Sequence, residues 1–103
     1  MADFMKMLQQ AQEVQGRLKQ IQDELQARTV TATSGGGMVT VTATGAGQIK
    51  EVRIDPSVVS PSDVEMLEDL VLVAVTEAQK KAADLAQEEM KRITGGLPFK
   101  LPF

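Results

Sequence analysis

Residues 29–54 read TVTATSGGGMVTVTATGAGQIKEVRI, and their alternation settles the fold class. Thr29 to Ser34 alternates threonine with small apolar residues and is rich in β-branched side chains, the composition of a strand. Met38 to Thr44 alternates again, with Val39, Val41 and Ala43 on one face and Thr40, Thr42 and Thr44 on the other. Gln48 to Ile54 is a third strand in which Ile49 is out of phase with Val52 and Ile54, so a bulge or edge twist is expected near Lys50. Gly35-Gly36-Gly37 and Gly45-Ala46-Gly47 supply the turns, and Asp55-Pro56 ends the run because proline cannot continue a ladder. Connections this short imply an antiparallel meander in the order 1-2-3.

On the N-terminal side, residues 3–27 carry a helical pattern. Phe4, Ala11, Leu18 and Leu25 recur every seven residues, and Met7, Val14 and Ile21 follow the first three at a spacing of three. Glutamines fill much of the rest, and Gly16 is a small helix penalty on the polar side. So narrow a stripe suits a helix that touches one partner helix, in the manner of a coiled coil; an ordinary amphipathic helix packed on the sheet is the alternative. On the C-terminal side, Ser60-Pro61-Ser62-Asp63 reads as a helix start, with Ser60 as cap and Pro61 in the first helical position. The pattern runs to Thr94, where Gly95-Gly96 and Pro98 are expected to stop it. A helix over 61–94 is about 51 Å long at 1.5 Å per residue. Its stretch Leu70-Val71-Leu72-Val73-Ala74-Val75 is apolar nearly all round, whereas beyond Thr76 only Ala78, Ala82, Leu85, Ala86, Met90 and Ile93 make a stripe. The first half therefore belongs to a core and the second half leaves it.

The expected architecture is α+β: a two-layer α-β-β-β-α subunit in one domain spanning 1–103, with helices over about 3–27 and 61–94, strands over about 29–34, 38–44 and 48–54, and a tail over 95–103. The two helices should run antiparallel as an arm, with Phe4 and Met7 near Met90 and Ile93. One small sheet with two helices leaves either its other face or the Leu70–Val75 segment partly bare. Several exposed aliphatic side chains, each worth ~1.5–3 kcal/mol when buried, would be a large loss for a small domain, so a two-fold dimer is expected.

Composition excludes more than it identifies. The chain has 103 residues, no Cys and no His, so disulfides, a zinc site and the usual neutral-pH general base are all missing from its repertoire. An enzyme is not expected, and neither a cofactor nor a small-molecule substrate. The N-terminal residues, with Asp3 and Lys6, do not read as a signal peptide, and no apolar run approaches ~20 residues, so a cytoplasmic protein without membrane contact is expected. Gly35-Gly36-Gly37 precedes a strand, not a helix, and has no following Gly-Lys-Ser/Thr, which argues against a phosphate-binding loop. The acidic residues Asp63, Glu65, Glu68 and Asp69 read as partners of the helix dipole and not as a metal site.

Taken in order, the Gln-rich first helix, Gly35-Gly36-Gly37-Met38-Val39, Ile54-Asp55-Pro56, Asp63-Val64-Glu65-Met66-Leu67-Glu68-Asp69-Leu70, the alanine-rich helix after it and Gly95-Gly96 resemble the YbaB/EbfC family of bacterial nucleoid-associated proteins. The resemblance covers nearly the whole chain; the tail Leu97–Phe103 departs from the Pro-Gly-Phe type of ending. It implies a tweezer-shaped homodimer in the nucleoid that binds double-stranded DNA through protruding helices, with roles in nucleoid organisation and transcription regulation.

Charge indicates where such contacts would lie. The formal net charge is −3, which argues against coating nucleic acid by bulk charge. Residues 61–77 hold five acids and no base, whereas residues 78–103 hold five bases against three acids. Phosphate contacts require cationic or backbone donors. Lys80, Lys81, Lys91 and Arg92 are the preferred candidates, followed by Lys6, Arg17 and Lys19 on the first helix. The plain alternative is a solvated helix surface with i,i+4 pairs such as Lys80–Asp84. Without helical aromatics other than Phe4, stacking on single strands is not expected. The competing function is a protein-interaction module whose arms grip a partner.

Overall fold

The computed structural model describes residues 2–96, with side-chain exposure for 3–92; Met1 and the tail 97–103 lie outside the described residues. The order is α1 (Ala2–Ala27), β1 (Thr29–Ser34), β2 (Val39–Thr44), β3 (Ile49–Ile54) and α2 (Val64–Gly96). The strands form one antiparallel sheet in the order β1-β2-β3. The expected bulge is present: Thr42 pairs with Glu51 and Ala43 with Ile49, which leaves Lys50 as the extra residue on β3.

The sheet has one apolar and one polar face. Register sets Ala32 opposite Val41 and Ser34 opposite Val39, and α2 lies across β1 and β2 on that face. Val39, Val41, Ala43, Ala74 and Ala78 are fully buried there, with Leu67, Leu70, Val71 and Val75 packed round them. Alanines at 74 and 78 let the helix backbone approach the sheet closely. Ser34, a hydroxyl buried in this layer, donates to the Leu70 carbonyl at 2.6 Å. Gly35 at the end of β1 has φ +60, and a Cβ there would stand 2.9 Å from the Leu70 Cδ2. Glycine is therefore favoured by the sign of φ, while the Leu70 side-chain end could shift to admit a Cβ. The opposite face carries the threonines, with Glu51 and Arg53 in an ion pair at 2.8 Å; of the two surfaces expected to be bare, this one is polar.

The bare apolar surface lies elsewhere. β3 shares the α2 face, since Val52 pairs with Val41 and Ile54 with Val39, but α2 does not reach over it. Ile49, Val52 and Ile54 remain 39%, 42% and 39% exposed. On α2 itself, Leu72 and Val73 also face outward, so the Leu70–Val75 segment is buried on one side only within a single chain.

Three expectations need correction. α2 starts at Val64 and not at Pro61: Ser60–Asp63 closes a turn (Asp63 N–H to the Ser60 carbonyl, 3.0 Å), and the Asp63 carboxylate caps the helix by accepting from Met66 N–H at 3.2 Å. Nor does the helix stop at Thr94; it continues through Gly96, the last described residue. The third concerns the arm. Ile21, not Phe4 or Met7, lines a cleft with Glu89 and Arg92. Phe4 lies 17 residues before Ile21, about 25 Å further along the helix axis. Phe4, Met5, Met7 and Leu8 are accordingly exposed, and the first two turns of α1 run on past the end of α2; the side chain of Ile93 lies outside the described residues. The resulting molecule is elongated, 72 × 21 × 16 Å, with a radius of gyration of 19.7 Å against ~13 Å for a compact chain of this length.

Candidate nucleic-acid interface

The arm is fastened where α1 meets the sheet. Leu25 is buried against the turn after β2. Gly45 donates its N–H to the Arg28 carbonyl at 3.0 Å, and a Cβ at 45 would fall 2.7 Å from the Leu25 carbonyl oxygen, so this contact is backbone on backbone. One turn further out, Glu89 of α2 is 7% exposed and accepts from Arg28 Nη1 at 3.0 Å and from Arg92 Nη1 at 3.1 Å. Arg17 enters the same cleft, of about 370 Å³, from α1 with Gln20, Ile21 and Glu24. A second hollow of about 440 Å³ beside the Gly45–Gly47 turn is lined by Gln22, Gln26 and Gln79 amides and by alanine methyls, and holds no ionisable group.

The candidate cations fall into rows. A spacing of 11 residues is three helical turns within about 20°, so Lys80 and Lys91 share one row of α2, Lys81 and Arg92 the next, and Lys6 and Arg17 one row of α1. Members of a row stand about 16.5 Å apart. Because Arg17 and Arg92 line one cleft, the Lys6–Arg17 and Lys81–Arg92 rows flank the same side of the arm. Lys19 lies on a different side of α1, about 160° round the helix from Arg17. Lys80 and Lys91 are exposed; the Lys80–Asp84 pair expected from the spacing is not among the ion pairs of the described residues. Lys81 reaches back to the sheet and donates to the Thr31 carbonyl at 2.8 Å, covering part of the open edge of β1. Arg28 carries no local signal in the sequence, because its partner lies 61 positions away.

Among the described residues no three acidic groups converge as a metal site would require, and no helix is long and apolar enough to cross a membrane.

Comparison with known proteins gives a consistent picture. Residues 1–97 match the model of the YbaB/EbfC DNA-binding family. A nucleoid-associated protein of Gemmatimonas aurantiaca is 54% identical over 103 aligned positions, covering 98% of this chain and 99% of the relative. One from Bartonella bacilliformis is 44% identical over 107 positions, covering 100% and 99%. Among solved structures, an uncharacterized protein from Helicobacter pylori superposes with a TM-score of 0.69 over 81% of this chain and 96% of its own, at 22% identity, which speaks to the fold alone.

Proposed function

The chain belongs to the YbaB/EbfC DNA-binding family, and from that premise we propose that it is a nucleoid-associated homodimer that holds duplex DNA between or against its helical arms. The observation that carries the function is the family match over residues 1–97, together with relatives at about 50% identity that span the whole chain. The family is a DNA-binding one and not an enzyme family.

The geometry supports a division of labour. The uncovered strip Ile49, Val52 and Ile54, with Leu72 and Val73 on α2, is the surface for the second copy. Pairing the cores by two-fold symmetry leaves two arms projecting, and the tweezer shape follows from it. The contacts to DNA are Lys80, Lys81, Lys91 and Arg92 on α2 with Lys6, Arg17 and Lys19 on α1. They grip phosphate, contacts that position the protein on the duplex without reading its sequence. DNA shape, nucleoid organisation and gene expression would change as a consequence.

Affinity across a salt series tests this directly. About six neutralised phosphates per dimer give a slope near −5 in log K against log salt, a loss of about 10³-fold between 50 and 200 mM. Salt-insensitive binding, or none at low salt, rejects the reading. One observation favours the alternative of a protein-gripping module: Phe4, Met5, Met7 and Leu8 form an apolar tip on α1. If the tip is the working surface, Met7→Lys abolishes partner capture and leaves DNA affinity untouched.

A further inference from the structure

Glu89 is unlike every other acidic residue of α2. It is 7% exposed, on a helix whose remaining carboxylates are solvated. A carboxylate in such a position is costly unless it is paired. Glu89 is paired twice: Oε1 accepts from Arg28 at 3.0 Å and from Arg92 at 3.1 Å, and Oε2 accepts from Arg92 at 3.3 Å. The two guanidiniums are not buried with it; their side chains are 52% and 76% exposed.

A guanidinium carries five N–H donors in a rigid plane. Arg28 and Arg92 each approach Glu89 through Nη1 alone, so among the described residues their Nε–H and Nη2–H donors have no protein partner. Arg17 and Arg92 line the adjoining cleft together with Glu24 and Glu89, while Arg28 reaches Glu89 from the junction of α1 and β1. This fork of donors is oriented from below by a buried anion and has its outer edge in solvent. Planar, pre-oriented guanidiniums are the groups best suited to a phosphodiester.

We infer that Arg28 and Arg92 form a fork for one backbone phosphate where the arm leaves the sheet, with Glu89 as the positioning residue that aims it. This rests on the duplex-DNA reading and adds to it a contact, Arg28, that lies on neither helix. It also assigns Glu89 an effect opposite to that of its charge. A carboxylate near phosphate repels it, so on charge alone Glu89→Gln should tighten DNA binding. As the residue that orients two guanidiniums, its removal should weaken binding, because three charge-assisted hydrogen bonds are weakened or broken and both arginines regain freedom.

The test is fluorescence anisotropy of a short labelled duplex titrated with the full chain across a salt series, with circular dichroism and sedimentation to confirm fold and assembly. Glu89→Gln is expected to lower affinity about tenfold at moderate salt. Arg28→Gln should lower the magnitude of the salt slope by about 0.9 for each phosphate it no longer neutralises, and Arg28→Lys should restore the slope while affinity stays below wild type. Arg28→Gln with wild-type affinity and slope overturns the fork, and a folded Glu89→Gln that binds more tightly overturns the positioning role. If Glu89→Gln fails to fold, the slopes of the two Arg28 variants decide alone. Wild-type protein without salt-dependent duplex binding rejects the DNA reading and the fork with it, whereas wild-type binding with an unaffected Arg28→Gln rejects the fork only.

Discussion

Replacing Val52 by lysine is expected to separate the proposed dimer into monomers while leaving the subunit folded. Val52 stands opposite Val41 on the apolar face of the sheet, yet it is 42% exposed because α2 stops short of β3. Complete burial of an aliphatic side chain is worth ~1.5–3 kcal/mol. Covering the remaining two-fifths would contribute about 0.6–1.3 kcal/mol per copy, and about twice that in a two-fold pair, where each copy presents the same residue. Lysine forfeits this and places an ammonium group in the seam, so the dimer dissociation constant should rise about ten- to sixtyfold, or more if the charge is trapped. The subunit should tolerate the change, because a lysine at a position this exposed can direct its ammonium to water in the free chain. Val41→Ala is the control: Val41 is fully buried, so that variant should lower the melting temperature of the subunit itself. Sedimentation velocity over a concentration series, with far-ultraviolet circular dichroism, reads both outcomes. Wild-type protein that is monomeric at micromolar concentration, or Val52→Lys that sediments as wild type, would refute the assignment of this strip as the interface.

Three further outcomes follow from single contacts. Gly45→Ala puts a methyl 2.7 Å from the Leu25 carbonyl oxygen, and since that neighbour is backbone the end of α1 must move; a cost of about 1–3 kcal/mol is expected by thermal unfolding, with a steeper decline of protection in α1 amides than in β2. Asp63→Ala removes the cap on Met66 N–H and should cost about 1 kcal/mol, whereas Ser60→Ala should cost little; equal effects would restore the helix start to Pro61. Lys80→Glu combined with Lys81→Glu should weaken duplex binding and leave dimerisation intact, and Lys81→Glu alone should also fray the β1 edge, measurable as faster exchange at Thr31 and its neighbours.

Much of the fold was legible because its signals are local. The alternation of Val39, Val41 and Ala43 with threonine states which face is buried, since side chains in a strand point to opposite faces in turn. The phase break between Ile49 and Val52 announced the unpaired Lys50. The start of α2 was ambiguous in sequence because two capping signals overlap within four residues, and only the hydrogen bond to Met66 N–H selects Asp63.

Residue order thus specifies the set of elements, their faces and the family to which the chain belongs. How far α1 slides along α2 is settled only by packing in three dimensions. A heptad stripe looks the same after a shift of seven residues, about 10.5 Å, so periodicity cannot choose between registers. That choice is made by unrepeated contacts: Leu25 against Gly45, and Glu89 against Arg28 and Arg92. Those contacts leave Phe4 and Met7 projecting beyond the helix they were expected to meet, and they gather Arg28 and Arg92 round one buried carboxylate, with Arg17 on the adjoining cleft. No local pattern could reveal that cluster, because Arg28 and Glu89 are 61 residues apart and become neighbours only when the arm closes on the sheet.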